Sequence, residues 1–163
     1  MPPVMKGHEY ADLIAAYLTH NYGPRGLSVY REVSLGKSVI GKNRRIDIFA
    51  VDERSKRVLA LECKYQSVTG TADEKIPYAL SDLRALREPA FVVYGGVGFS
   101  QGVIHLLQGS PDAAHCLPDF SLAPSKDTLE LDHAVATTFH WWDAVLKTKK
   151  AFDLSQWKPP TFD

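Results

Sequence analysis

The stretch RIDIFAV (residues 45–51), followed by DERSK (52–56) and RVLALECKY (57–65), decides how the rest of the chain is read. The two outer segments are rich in aliphatic and β-branched residues, and the polar five between them suit a hairpin connection. Two antiparallel neighbouring strands are therefore expected. Ile46, Ile48, Leu59, Leu61 and Cys63 are apolar, so Asp47, Glu62 and Lys64 interrupt strands that otherwise read as buried. Glu62 and Lys64 are two apart and share one side of their strand. Asp47 meets them if its strand is the neighbour. Two carboxylates gathered this way offer hard oxygen ligands to Mg²⁺ or Mn²⁺. Lys64 is suited to a water or a phosphate oxygen beside such a cation. Charges buried without partners are costly, and that cost is met if these groups face one another and a cation. Charge and spacing alone equally permit a surface Asp and a Glu–Lys pair on a solvated sheet face.

Working upstream, Leu27, Val29, Val33 and Leu35 come close to strand alternation over 27–35, and residues 36–41, with two glycines, read as a turn. Leu13, Ile14, Tyr17 and Leu18 form a helical stripe over 8–20, stopped by Asn21, Gly23, Pro24 and Gly26. Downstream, residues 70–73 read as a loop. A helix is expected to start near Pro77, since proline suits a first helical position. That helix carries Leu80, Leu83 and Leu86 toward the sheet and ends before Pro89. AFVVY (90–94) is a compact strand, stopped by glycines in a tight turn at 95–98, and a helix follows over 101–108. The strand–helix–strand order around 57–94 predicts a parallel crossover. A short strand or loop is expected over 116–122. A last helix is expected over 132–148, capped by Asp132, with Val135, Phe139, Trp142, Val145 and Leu146 on its apolar face. The expected architecture is α/β, a central mixed sheet flanked by helices. One domain is expected over 1–163, with its core over roughly 8–109 and a C-terminal helical extension.

Composition sets the outer bounds. With 163 residues, 45% hydrophobic and 23% charged, the chain can bury a core and does not read as disordered. No apolar run approaches the ~20 residues of a membrane span, and the start has no long apolar leader-like segment. Two cysteines, Cys63 and Cys116, exclude a disulfide scaffold and lead us to expect an intracellular, cytoplasmic protein. The six histidines are dispersed and give no zinc spacing. Nineteen basic and nineteen acidic side chains cancel overall, but residues 25–64 hold ten Lys/Arg against five Asp/Glu, a local net of +5. Lys37, Lys42, Arg44 and Arg45 fall just before or at the start of the Asp47 strand, placed to contact phosphates.

The runs Arg45-Ile46-Asp47-Ile48 and Leu61-Glu62-Cys63-Lys64-Tyr65-Gln66 resemble the core of the PD-(D/E)XK nuclease superfamily, the restriction-endonuclease-like fold, with likeness to its resolvase-like and RecB-like branches. Asp47 matches the first-motif aspartate, Glu62 and Lys64 match the second motif, and Gln66 matches a glutamine that follows the lysine. Ile46 stands where the family has its weakly held proline. The resemblance covers roughly residues 8–95 and implies divalent-metal-dependent endonucleolytic hydrolysis of DNA. Mg²⁺ is the expected cofactor, with Mn²⁺ as substitute, held by Asp47, Glu62 and the carbonyl of Cys63. It also implies a further carboxylate, for which Glu9 on the first helix and Glu32 on the strand before Asp47 compete. Cutting both strands implies a homodimer. The alternative is a noncatalytic nucleic-acid-binding protein that keeps the nuclease fold.

Overall fold

The computed structural model describes residues 4–38, 40–70 and 72–162. Val39 and Thr71, expected in a turn and a loop, lie outside them.

The elements run α1 (Gly7–Tyr22), β1 (Leu27–Lys37), β2 (Asn43–Asp52), β3 (Val58–Tyr65), α2 (Ala72–Arg84), β4 (Ala90–Gly95), α3 (Gln101–Gln108), β5 (Ala113–His115), α4 (Leu129–Phe139) and α5 (Trp142–Leu146). The five strands form one sheet in the order β1-β2-β3-β4-β5. β1, β2 and β3 pair antiparallel, while β3–β4 and β4–β5 are parallel, as the intervening helices α2 and α3 require. The chain is thus an α/β fold with a mixed central sheet.

Helices cover both faces. On one, Tyr10, Ile14, Tyr17 and Leu18 of α1 and Leu131, Val135 and Phe139 of α4 pack on Ile48, Ala50, Leu59, Leu61 and Val93. On the other, Ile76, Leu80 and Leu83 of α2 and Leu107 of α3 pack on Ala60, Val92 and Tyr94. Helix α4 is therefore part of a main core cluster.

Four expectations need correction. Helix α2 begins at Ala72 and holds Pro77 in its second turn, where proline removes the donor for the Asp73 carbonyl. Tertiary bonds hold that early turn: the Asp73 carboxylate accepts from the Ser100 N–H at 3.1 Å and from Gln66 Nε2 at 3.4 Å. The fifth strand lies at Ala113–His115, ahead of the expected 116–122; three residues in Ala-Ala-His give too little pattern to mark it. The expected helix over 132–148 is broken at His140, which adopts φ +61°. Trp141 stacks on Phe139 at 4.8 Å and on Tyr22 at 5.8 Å, whereas a continuous helix would turn residues two apart to nearly opposite sides. Finally, Asp132 is not a cap. It lies one turn inside α4, buried, and accepts from the hydroxyls of Tyr17, Tyr22 and Thr128.

The glycine-rich segment after β4 is the tight turn expected, for a steric reason. A Cβ on Gly96, whose φ is +97°, would lie 2.2 Å from the Gln66 carbonyl oxygen, and one on Gly98 would lie 2.4 Å from that of Val68. The turn presses backbone to backbone against the segment leaving β3.

Candidate functional site

Strands β2 and β3 pair regularly from Val51↔Val58 to Ile48↔Leu61, and the ladder stops there. The next residues are Asp47 and Glu62. Instead of meeting a strand carbonyl, the N–H of Cys63 donates to Asp47 Oδ2 at 2.8 Å. On an extended residue the N–H and C=O project to the same side, so the Cys63 carbonyl also faces the β2 side. The chain bends here as well. Ile46 and Ile48 are two apart, yet Ile46 packs in the α2 cluster and Ile48 in the α1 cluster. Across the sheet, β1 pairs Arg31 with Ile48 and Val33 with Ile46, and the residue between them, Glu32, has φ +55°. Arg31 donates to the backbone carbonyl of Asp47, and its Nε donates to Asp12 of α1 at 2.9 Å. An interrupted ladder, anchored by Arg31, thus holds Asp47 out of regular pairing.

Glu62 and Lys64 share the α2 face of β3, with Lys64 Nζ 3.3 Å from Glu62 Oε1 and each side chain about one-fifth exposed (21% and 22%). Burial raises Glu62 first, the Asp47 carboxylate adds to that, and Lys64 offsets it in part; the result is a carboxyl pushed up to about 7. Two carboxylates closing on one another, at the cost of one losing its charge, is an arrangement that a cation relieves. Two carboxylate groups and a carbonyl are hard oxygen donors, and they fit Mg²⁺, which keeps several waters of its own. Among the described residues, no set of three His, Cys, Asp or Glu side chains is brought together to hold a metal ion.

Glu9 does not supply a third carboxylate in this arrangement. Its Oε2 accepts from the Lys6 N–H at 2.7 Å, capping α1. Glu32 is exposed and lies 4.0 Å from Arg45. Gln66 is buried just beyond β3, where its Nε2 donates to the Gly98 carbonyl at 2.7 Å. It braces the turn after β4 and lines no cavity with Glu62 and Lys64.

A cavity of about 270 Å³ opens beside Glu62 and Lys64, walled by Lys42, Arg44 and Arg45 on one side and by Lys75, Tyr78 and Asp82 of α2 on the other. Three of the four expected phosphate contacts thus meet at one place. They are not equivalent. Arg44 is only 8% exposed and holds Asp82 through two bonds at 2.9 and 3.1 Å, which pins β2 to α2 and raises the guanidinium pKa further. Lys42 and Arg45 are exposed. Lys37 lies outside the cavity and donates to Asn43 at 2.7 Å across the hairpin.

Tyr78 and Asp82 were missed by the sequence reading, and a signal was present. In a helix starting at 72, Lys75, Tyr78 and Asp82 fall at i, i+3 and i+7, a polar stripe opposite Ile76, Leu80 and Leu83. Starting the helix at Pro77 hides that stripe. Arg31 carried no local signal, because its partners lie on α1 and β2.

The family described as PD-(D/E)XK nuclease superfamily domain matches residues 6–142. No curated protein matches. Similar solved structures include a protein of unknown function (13% identity, TM-score 0.39, covering 60% of this chain and 53% of that one). A repair endonuclease from Pyrococcus abyssi is 18% identical, with TM-score 0.37, covering 69% of this chain and 47% of that one. A type III CRISPR defence DNA nuclease activated by cyclic oligoadenylate is 15% identical, with TM-score 0.45, covering 83% of this chain and 21% of that one. The chain spans about half or less of the length of these structures.

Proposed function

The chain belongs to the PD-(D/E)XK nuclease superfamily, and from that premise we propose that it is a divalent-metal-dependent endonuclease that hydrolyses DNA phosphodiester bonds. The observation that carries this reading is the meeting of Asp47 and Glu62 where β2 and β3 stop pairing, with Lys64 3.3 Å from Glu62. Asp47, Glu62 and the Cys63 carbonyl would hold Mg²⁺ or Mn²⁺. When bound, the cation supplies a lowered water pKa and positive charge for the developing phosphate oxygens.

The chain's own residues have separate tasks. The Cys63 N–H orients the Asp47 carboxylate, and Arg31 fixes the backbone beneath it. Lys64 offers its ammonium to a nonbridging oxygen or to the attacking water, where it stabilises charge as the transition state forms. Lys37, Lys42 and Arg45 bind flanking phosphates, and Arg44, through its pair with Asp82, holds the cavity wall in position. Gln66 keeps the turn after β4 seated behind the catalytic strand. Were both strands of a duplex to be cut, a homodimer with two such sites would be required.

The test is cleavage of linear duplex, single strand, flap and four-way junction with Mg²⁺ or Mn²⁺, with EDTA and Lys64→Ala as controls. Cutting that requires the ion and Lys64 supports the proposal. One observation favours a second reading, a noncatalytic nucleic-acid binder: among the described residues only two carboxylates meet, while Glu9 caps its own helix. That reading predicts DNA binding without cleavage by the wild-type protein under any of these conditions.

A further inference from the structure

The cavity beside Glu62 and Lys64 has features that a track for duplex phosphates does not need. At about 270 Å³ it sits just below the ~300–1,000 Å³ range of small-ligand clefts, large enough for about one nucleotide and far too small for paired bases. Its charge is uneven. Arg44 and Asp82 neutralise each other within the wall and Lys64 is paired with Glu62, which leaves Lys42, Lys75 and Arg45, the last 4.0 Å from Glu32, as the cations of the rim. Tyr78 of α2 lines the same cavity, 42% exposed, an aromatic side chain that neither core cluster takes in. The Ser38 hydroxyl, also lining the cavity, is shielded from solvent and has no hydrogen-bond partner among the described residues. Aromatic faces set among cations are the physical means by which proteins hold unpaired strands, since every base has a face to stack and every linkage a charge. A base inside a duplex reaches such a surface only by leaving its stack.

We propose that this cavity takes one unstacked nucleotide of an unpaired DNA strand, its phosphate on Lys42, Arg45 and Lys75 and its base on Tyr78, next to the bond to be cut. The assignment rests on the nuclease reading for the last clause only. It makes the enzyme selective for single strands, flaps or frayed ends over continuous duplex.

The test is fluorescence anisotropy with the full chain in EDTA, using a labelled oligothymidine and a mixed-sequence duplex of the same length at one salt concentration. The single strand is expected to bind more tightly. Tyr78→Ala is expected to weaken it by about 5- to 150-fold, the range that ~1–3 kcal/mol of stacking represents. Tyr78→Phe is expected to keep wild-type affinity, and Lys75→Ala to weaken the strand and flatten its salt dependence. Circular dichroism checks the fold of each variant, and Lys75→Ala carries the test if Tyr78→Ala does not fold. Absence of strand binding, equal affinity for duplex, or strand affinity unchanged in folded Tyr78→Ala or Lys75→Ala overturns the assignment. Cleavage in Mg²⁺ is read in parallel. Tyr78-dependent binding without any cleavage removes the nuclease reading and keeps the cavity as a strand site. Metal-dependent cleavage with Tyr78-independent binding does the reverse.

Discussion

Two of the carboxylate centres in this molecule are treated in opposite ways. Asp132, 8% exposed, takes hydroxyl donors from Tyr17, Tyr22 and Thr128 at 2.7–3.0 Å. Burial first, and the neighbouring carboxylate as well, raise both phenols far above their ordinary pKa, so they remain protonated donors. Neutral donors satisfy this acid locally. At the other centre, Glu62 faces a second carboxylate and one lysine, and its pKa is pushed up to about 7. The first arrangement ties α1 to α4; the second leaves negative charge that a cation can relieve. A buried acid therefore signals function only when its neighbours fail to satisfy it.

The strongest way to break this comparison is Asp132→Ala. It removes the acceptor for three buried hydroxyls and should cost roughly 3–5 kcal/mol in urea unfolding. A loss under about 1 kcal/mol would mean the hydroxyl cluster is not structural.

Next comes the cation itself. Mg²⁺ or Mn²⁺ at about a hundred times its dissociation constant should stabilise the protein by about 2.7 kcal/mol in thermal melts. At one fixed ion concentration the effect should be larger at pH 8 than at pH 6, because the ion and a proton compete for Glu62, and absent in Asp47→Ala. A stabilisation that survives Asp47→Ala puts the ion elsewhere.

Glu62→Gln should stabilise the metal-free protein at high pH by roughly 1–3 kcal/mol. The sign follows from the raised pKa. Folding favours the protonated carboxyl, so this contribution is complete below about 4.5 and is lost as pH rises through about 7. The variant lacks that loss, so the two unfolding curves should coincide near pH 4 and separate toward pH 8. Curves that remain parallel across this range contradict the pairing of the two carboxylates.

The smallest effect is expected from Tyr22→Phe, which removes one of the hydroxyls on Asp132. It should cost about 0.5–1.5 kcal/mol without changing the metal response. A changed metal response would mean that the two centres are coupled.

How much of this was legible beforehand depended on the range of the interactions. The three antiparallel strands, the parallel crossover and α3 follow from alternation, hairpin composition and connection length, which are local properties of the chain. So does the grouping of Asp47, Glu62 and Lys64, because two-residue spacing on β3 and an adjacent β2 place them together. What stayed hidden depends on partners distant in sequence. The early start of α2 rests on Asp73 binding Ser100 and Gln66, and the break at His140 rests on Trp141 reaching Tyr22. Asp132 looks like a cap until two tyrosines more than a hundred residues earlier close over it. Sequence by itself determined that β1, β2 and β3 follow one another as antiparallel neighbours and that Glu62 and Lys64 share one face of β3, because alternation and connection length set both. Only the tertiary structure decided that β2 and β3 part at Asp47 and that α2 closes a cavity over Lys64, because those outcomes depend on Arg31, Arg44 and Asp82 finding partners on other elements.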